Sequence, residues 1–124
     1  MHCRAISLKS SLRHAVLATL FLAAPAFSAQ AREASCQVHS GGELVVDNAC
    51  QFTPDGRNGS FSVSQPDGDL FDGMASVSVT IVSTGVAEVS GLTSQGISSR
   101  WGTARRSRKD PGCWTGADFE VCVW

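Results

Sequence analysis

The chain has 124 residues, of which 43% are hydrophobic, and it carries ten basic and eleven acidic residues. This length accommodates one domain and leaves no room for a second hydrophobic core, while the apolar fraction excludes wholesale disorder. Length and composition together also exclude a polytopic membrane protein, a coiled coil and a repeat array. They do not name a reaction.

The first 31 residues have the features of a secretory signal peptide. Arg4, Lys9 and Arg13 form a positive start, residues 15–24 are a short apolar run, and residues 29–31 (Ala-Gln-Ala) suit signal peptidase. The apolar run is about half of the roughly 20 residues that span a bilayer. We therefore expect residues 1–31 to be removed and residues 32–124 to form a single β-rich domain in the periplasm or outside the cell.

Removing this segment changes the charge and the cysteine count. Three basic residues and no acidic residue are lost, so the remaining domain has a net charge of −4. Cys3 is lost as well, which leaves Cys36, Cys50, Cys113 and Cys122. An even number of cysteines in a small exported domain predicts two disulfides.

Four cysteines allow three pairings. If residues 117–118 form a two-residue turn, Cys113 lies opposite Cys122 in a non-hydrogen-bonded pair, where side chains approach most closely. Cys36 and Cys50 lie on either side of a Gly-Gly hairpin signal at residues 41–42, but that turn places Cys36 opposite Asp47 and requires Cys50 to curl back. We favour Cys113–Cys122 together with Cys36–Cys50.

The rest of the domain alternates with a period of two residues. The strongest predicted strand is residues 75–81, and further strands are predicted at residues 43–46, 61–64, 86–90, 100–104 and 121–124. Glycine, proline and aspartate separate them at intervals of about ten residues. This spacing predicts an all-β fold, a small antiparallel barrel or sandwich with two disulfides.

The basic residues are concentrated late in the chain. Five of the seven basic residues after position 31 lie within residues 100–109, whereas residues 33–88 hold eight acidic residues and one basic residue, Arg57. Such a segment suits an acidic protein or an anionic component of the cell envelope, although a solvated loop is the alternative. We predict a contact surface formed by Ser99, Arg100, Trp101, Arg105 and Arg106.

Other partners and catalytic chemistry are not expected. The domain is net acidic, which argues against nucleic acid, and it contains neither an apolar span for a membrane nor any mark of its oligomeric state. His39 is its only histidine, expected on the surface, and no Gly-x-Ser-x-Gly elbow is present. We predict no catalytic residue, no metal site and no cofactor, and hence no enzyme.

An acid-rich segment at residues 67–73 raises the question of calcium, since hard cations prefer several carboxylates on one tight loop. It contains Asp67, Asp69 and Asp72, but it lacks the later ligands of an EF-hand-like loop. Two successive tight turns are the favoured interpretation of this segment, and calcium binding is left open.

Cysteines and aromatic residues recur in a pattern made up of Cys36, Asp47, Cys50 and Phe52, then Gly59-Ser60-Phe61, then Gly85-Val86-Ala87, and a closing Cys113-Trp114, Cys122 and Trp124. This pattern resembles a group of small exported proteobacterial proteins of unknown function. The resemblance implies a periplasmic β-rich fold and supplies no catalytic residues. Residues 96–101 (Gly-Ile-Ser-Ser-Arg-Trp) are also similar to the contact loop of periplasmic lysozyme inhibitors, which are small disulfide-bearing β-barrels.

These observations favour a periplasmic binding module without catalytic activity. A lysozyme inhibitor is the first alternative, because an acidic protein suits a cationic lysozyme. A structural protein of the cell envelope is the second.

Overall fold

The structure is a computed structural model that describes residues 30–124. Residues 1–29, which make up most of the predicted signal peptide, lie outside the described residues. Among the residues described, no helix has the length and apolar character needed to cross a membrane.

Eight antiparallel strands form a closed barrel in which each strand pairs with its neighbours in sequence and β8 pairs with β1. The all-β prediction is confirmed, and of the two predicted architectures the chain adopts the barrel. All the predicted strands fall within observed strands, apart from the last residue of the chain. The strands are β1 Arg32–Ser40, β2 Glu43–Pro54, β3 Phe61–Ser64, β4 Met74–Ser83, β5 Val86–Thr93, β6 Ser98–Arg106, β7 Cys113–Thr115 and β8 Phe119–Val123.

The core fills the barrel with small and β-branched side chains that recur at every second residue. β-branched residues pack well on a pleated surface, and the two-residue period sends them all to one face. The fully buried valines are Val38, Val63, Val77, Val79, Val89 and Val121. The largest of the buried side chains are Phe61 of β3, Trp114 of β7 and Phe119 of β8.

The hairpin between β7 and β8 has the predicted register. Cys113 pairs with Cys122, Trp114 with Val121 and Thr115 with Glu120, so the turn does lie at residues 117–118. The two cysteines form a disulfide whose Cα atoms are 4.0 Å apart. Because Trp114 and Val121 face the core, this disulfide lies on the opposite, outer side of the barrel wall.

The second predicted disulfide, Cys36–Cys50, is also present, but the predicted route to it is wrong. A β-bulge shifts the register between Val38 and His39, so that Cys36 lies opposite Asn48 instead of Asp47. Cys50 lies two residues farther along β2, and Cys36 reaches it diagonally across the sheet at a Cα–Cα distance of 5.7 Å. The extra residue in the bulge thus removes any need for the chain to curl back.

The alternating direction of the strands sorts the loops into two groups. One end of the barrel holds the loops at residues 55–60, 84–85 and 107–112, together with the start of β1 and the end of β8. The other end holds the turns at residues 41–42, 65–73, 94–97 and 116–118. Residues that are distant in sequence therefore meet at the same end.

Candidate binding site

Basic residues gather at the first of these two ends. Six of the seven basic residues within residues 30–124 lie on its loops or on the strand residues that border them, and all six are exposed: Arg32, Arg57, Arg105, Arg106, Arg108 and Lys109. The acidic residues there are Glu33, Asp55 and Asp110. We call this surface the cationic end.

Arg106, the last residue of β6, lies on an aromatic ring at the cationic end. Its guanidinium carbon is 4.7 Å from the centroid of the Trp114 ring, a distance typical of a cation–π contact. Arg106 and Trp114 together line two depressions. One of about 170 Å³ is bordered by Phe52, Phe61 and Val123, and one of about 420 Å³ is bordered by the β4–β5 turn at residues 81–85.

A second guanidinium lies on an aromatic ring at the same end. Arg32 is 4.4 Å from the centroid of Phe52, and Phe52 stacks on Phe61 with the ring centroids 4.9 Å apart. Arg32 and Phe52 are partners in the register of β1 and β2, and Phe61 opens β3 beside them. Aromatic rings thus form an apolar surface beneath cationic groups.

The basic groups of the cationic end have no carboxylate partner inside the described part of the chain. The single ion pair among residues 30–124 joins Arg100 to Glu88, on the outer wall of the barrel. Asp110 accepts hydrogen bonds from the Trp124 indole (3.1 Å) and from the backbone N–H of Gly112 (3.0 Å). The guanidinium groups of Arg32 and Arg106 are therefore available to an external anion.

The structure does not bring the five predicted contact residues together. Arg106 belongs to the cationic end, and Arg105 is exposed beside it at the end of β6. Arg100 and Trp101 instead line a depression of about 180 Å³ with Ser40, Asp118 and Phe119, at the opposite end of the barrel. Ser99 is half-buried and pairs with Gly91 of β5.

Trp101 is part of an aromatic cluster and is half-buried. Its ring meets Phe119 edge to face at a centroid distance of 5.6 Å and Phe71 at 6.2 Å. Gly91 makes this packing possible, since a Cβ atom there would lie 2.9 Å from the Trp101 Nε1 atom and 2.7 Å from the sulfur of Met74. Trp101 therefore closes one end of the core. The tryptophan ring that lies beside an arginine without a carboxylate partner in the described residues is that of Trp114, next to Arg106.

Arg100 is engaged within the protein. Its Nε and Nη2 atoms donate to Glu88 Oε2 at 3.1 and 2.9 Å, and Thr103 Oγ1 donates to Glu88 Oε1 at 2.7 Å. The hydrogen bond from Thr103, followed by that from Arg100, holds the pKa of Glu88 below its usual value of 4.5. Both bonds stabilise the ionised carboxylate.

The Glu88 carboxyl should therefore report on this small network. We expect its pKa to rise toward 4.5 in Thr103→Val and, to a smaller extent, in Arg100→Gln, as measured by NMR titration of the carboxyl carbon. Because the pKa is lowered in the folded state, the interaction stabilises the fold above the unfolded pKa and is lost as the pH falls through the folded pKa. An unchanged Glu88 pKa in Thr103→Val would contradict the assigned cause.

The opposite end of the barrel is acidic. Its turns and their bordering residues hold Glu43, Asp67, Asp69, Asp72 and Asp118, and the one basic residue near them among residues 30–124 is Arg100, which is paired with Glu88. Residues 65–74 form two tight turns in succession, with bridges between Gln65 and Gly68 and between Phe71 and Met74, as the favoured interpretation predicts. The Asp69 carboxylate accepts a hydrogen bond from the Ser94 hydroxyl, which ties this loop to the β5–β6 turn.

His39 and a cluster of potential metal ligands both have structural positions in the barrel wall. His39 is half-buried, contrary to the surface position expected for it, because it lies in the barrel wall between Leu44 and Glu120. Within residues 30–124, the one close group of three potential metal ligands is Cys113, Glu120 and Cys122. Its two sulfur atoms are joined in a disulfide and are not thiolate ligands in this state.

Sequence reasoning missed Arg32, Phe52, Phe61 and Trp114 as members of one surface. The signal that identifies them is the order of the strands, because in an antiparallel barrel the starts of odd-numbered strands and the ends of even-numbered strands share an end.

Comparison with protein-family models, with curated proteins and with solved structures gave no match.

Proposed function

We propose that the protein is a non-catalytic binding module that acts in an oxidising compartment outside the cytoplasm and binds an anionic partner through its cationic end. One observation carries the proposal: six of the seven basic residues described lie at one end of the barrel, where Arg32 and Arg106 cover aromatic rings without a carboxylate partner. Two disulfides in a domain of this size are typical of exported proteins.

The charge distribution supports an anionic partner despite the net negative charge of the domain. The cationic end has six basic and three acidic residues, and one of the three, Asp110, is hydrogen-bonded to Trp124. The field at a binding surface depends on the local arrangement of charge, so a net-acidic protein can still attract an anion at one end. The acidic end directs the molecule so that the cationic end approaches first.

Retention on immobilised heparin tests this proposal with a matched pair of variants. Arg106→Gln and Arg100→Gln each remove one positive charge, but only the first removes it from the cationic end. We expect the oxidised protein to be retained, Arg106→Gln to elute at lower salt, and Arg100→Gln to elute like the wild type. Failure of the wild type to bind, or an equal change in both variants, would overturn the proposal.

A lysozyme inhibitor is the second candidate, and the acidic end is the observation that favours it. An acidic surface complements a cationic lysozyme, and Ile97, 60% exposed, lies in the turn at that end. The proposed contact segment is mostly strand, since Ser98 to Trp101 belong to β6. Inhibition of lysozyme-driven lysis that is lost on replacement of Ser99 or Arg100 would support this function.

A further inference from the structure

Exposed apolar side chains lie among the basic residues of the cationic end. Val82, near the end of β4, is 58% exposed, and Trp124, beyond the end of β8, is 50% exposed. Val82 borders the same depression as Arg106 and Trp114. The Trp124 indole is held by the Asp110 carboxylate, so its ring has a defined position at this end.

The basic residues are spread across the end and do not converge on one point. They come from the start of β1, the loop at residues 55–60, the end of β6 and the loop at residues 107–112. A small anion is usually bound by groups that converge in an enclosed pocket. At this end the exposed cationic groups are separate, and apolar side chains lie between them. This arrangement matches an extended surface that presents anionic groups and has hydrocarbon below them.

We propose that the cationic end docks on a membrane surface that contains anionic lipid, with Trp124 and Val82 in the headgroup region. This inference rests on the proposed function and specifies the partner. Tryptophan is favoured at membrane interfaces because its ring is apolar and its N–H is polar. Each Lys or Arg near an anionic lipid surface raises the affinity by about five-fold at moderate ionic strength.

The opposite end of the barrel fixes the orientation. Glu43, Asp67, Asp69, Asp72 and Asp118 would be repelled by the same lipid surface. The barrel axis therefore stands roughly perpendicular to the membrane plane, with the acidic end facing the solvent. Exposed apolar residues also occur toward the acidic end, namely Leu44, Leu92 and Ile97, but the one basic residue near them among residues 30–124, Arg100, is already paired with Glu88.

Co-sedimentation of the oxidised protein with vesicles tests the inference. One set of vesicles is phosphatidylcholine alone, and in the other set part of it is replaced by phosphatidylglycerol. We expect binding only to the second set, weakened about five-fold in Arg106→Gln and unchanged in Arg100→Gln. Trp124 should move to an apolar environment, so a blue shift of tryptophan emission on binding should be absent in Trp124→Phe.

The outcomes separate this inference from the proposed function. Retention on heparin without binding to anionic vesicles would overturn the membrane inference and leave the anion-binding module standing. Absence of both would overturn both. Equal binding to the two sets of vesicles, or a blue shift that persists in Trp124→Phe, would also contradict the proposed docking. Circular dichroism of each variant establishes that its barrel is intact.

Discussion

Replacement of Trp114 by alanine is expected to lower the free energy of unfolding by about 3–5 kcal/mol. Trp114 is 2% exposed, and it is the largest side chain of the core. It is contributed by β7, a strand of three residues that is bonded to β8 by the Cys113–Cys122 disulfide but has only two register pairs with β6. Because small domains are stable by only about 5–15 kcal/mol, this single truncation removes a large part of the total.

Urea unfolding followed by circular dichroism measures this loss. Trp124→Ala is the matched control, because the same residue type is truncated where it is 50% exposed, and we expect it to cost about 1 kcal/mol or less. A Trp114→Ala protein as stable as this control would mean that the ring does not support the core. Trp114→Ala should also bind heparin less well, since Arg106 loses the ring on which its guanidinium lies.

The second large effect is expected when Cys36 and Cys50 are both replaced by alanine. Their disulfide spans a sequence separation of 14, for which the loop-closure estimate gives a loss of about 3 kcal/mol. Both side chains are buried in the barrel, at 2% and 4% exposure, so lost packing adds to this loss. Alanine is the suitable replacement because serine would bury two hydroxyl groups.

Thermal and urea unfolding of this double variant should be compared with those of Ala49→Ser. Ala49 is exposed and adjoins Cys50, so its replacement tests whether any change to this part of β2 is harmful. We expect the control to unfold like the wild type. A double variant with wild-type stability would show that the bulged hairpin holds its register without the disulfide.

The predictable parts of the fold were those that depend on counting along a regular ladder. In the β7–β8 hairpin, the sequence between Cys113 and Cys122 contains no extra residue, so symmetric counting from the turn predicts every pair. The β1–β2 hairpin contains a bulge, and a single extra residue shifts all the later pairs. Nothing in the local composition marks where that residue is inserted.

The same limitation explains why the residues of the predicted contact surface do not lie together in the structure. The register of β5 and β6 also shifts, between Val89 and Ser90, so strict alternation along β6 does not tell which side Trp101 faces. Arg32 and Arg106 are separated by 73 intervening residues, and they share an end only because the barrel closes in strand order. Charge clustering within residues 100–109 is visible in the sequence, whereas clustering in space depends on topology.

Closure of the barrel has its shortest ladder between β6 and β7, where only Arg105–Thr115 and Arg106–Trp114 are paired. The disulfide fastens β7 to β8, so local opening should begin on the β6 side and release the amides there to early hydrogen exchange. Opening also creates two free strand edges, the starting point for strand exchange between copies. A bound anion that links Arg106 to other basic groups of the cationic end would hold β6 and β7 together. Binding of the anion and resistance to strand exchange are then coupled through Arg106.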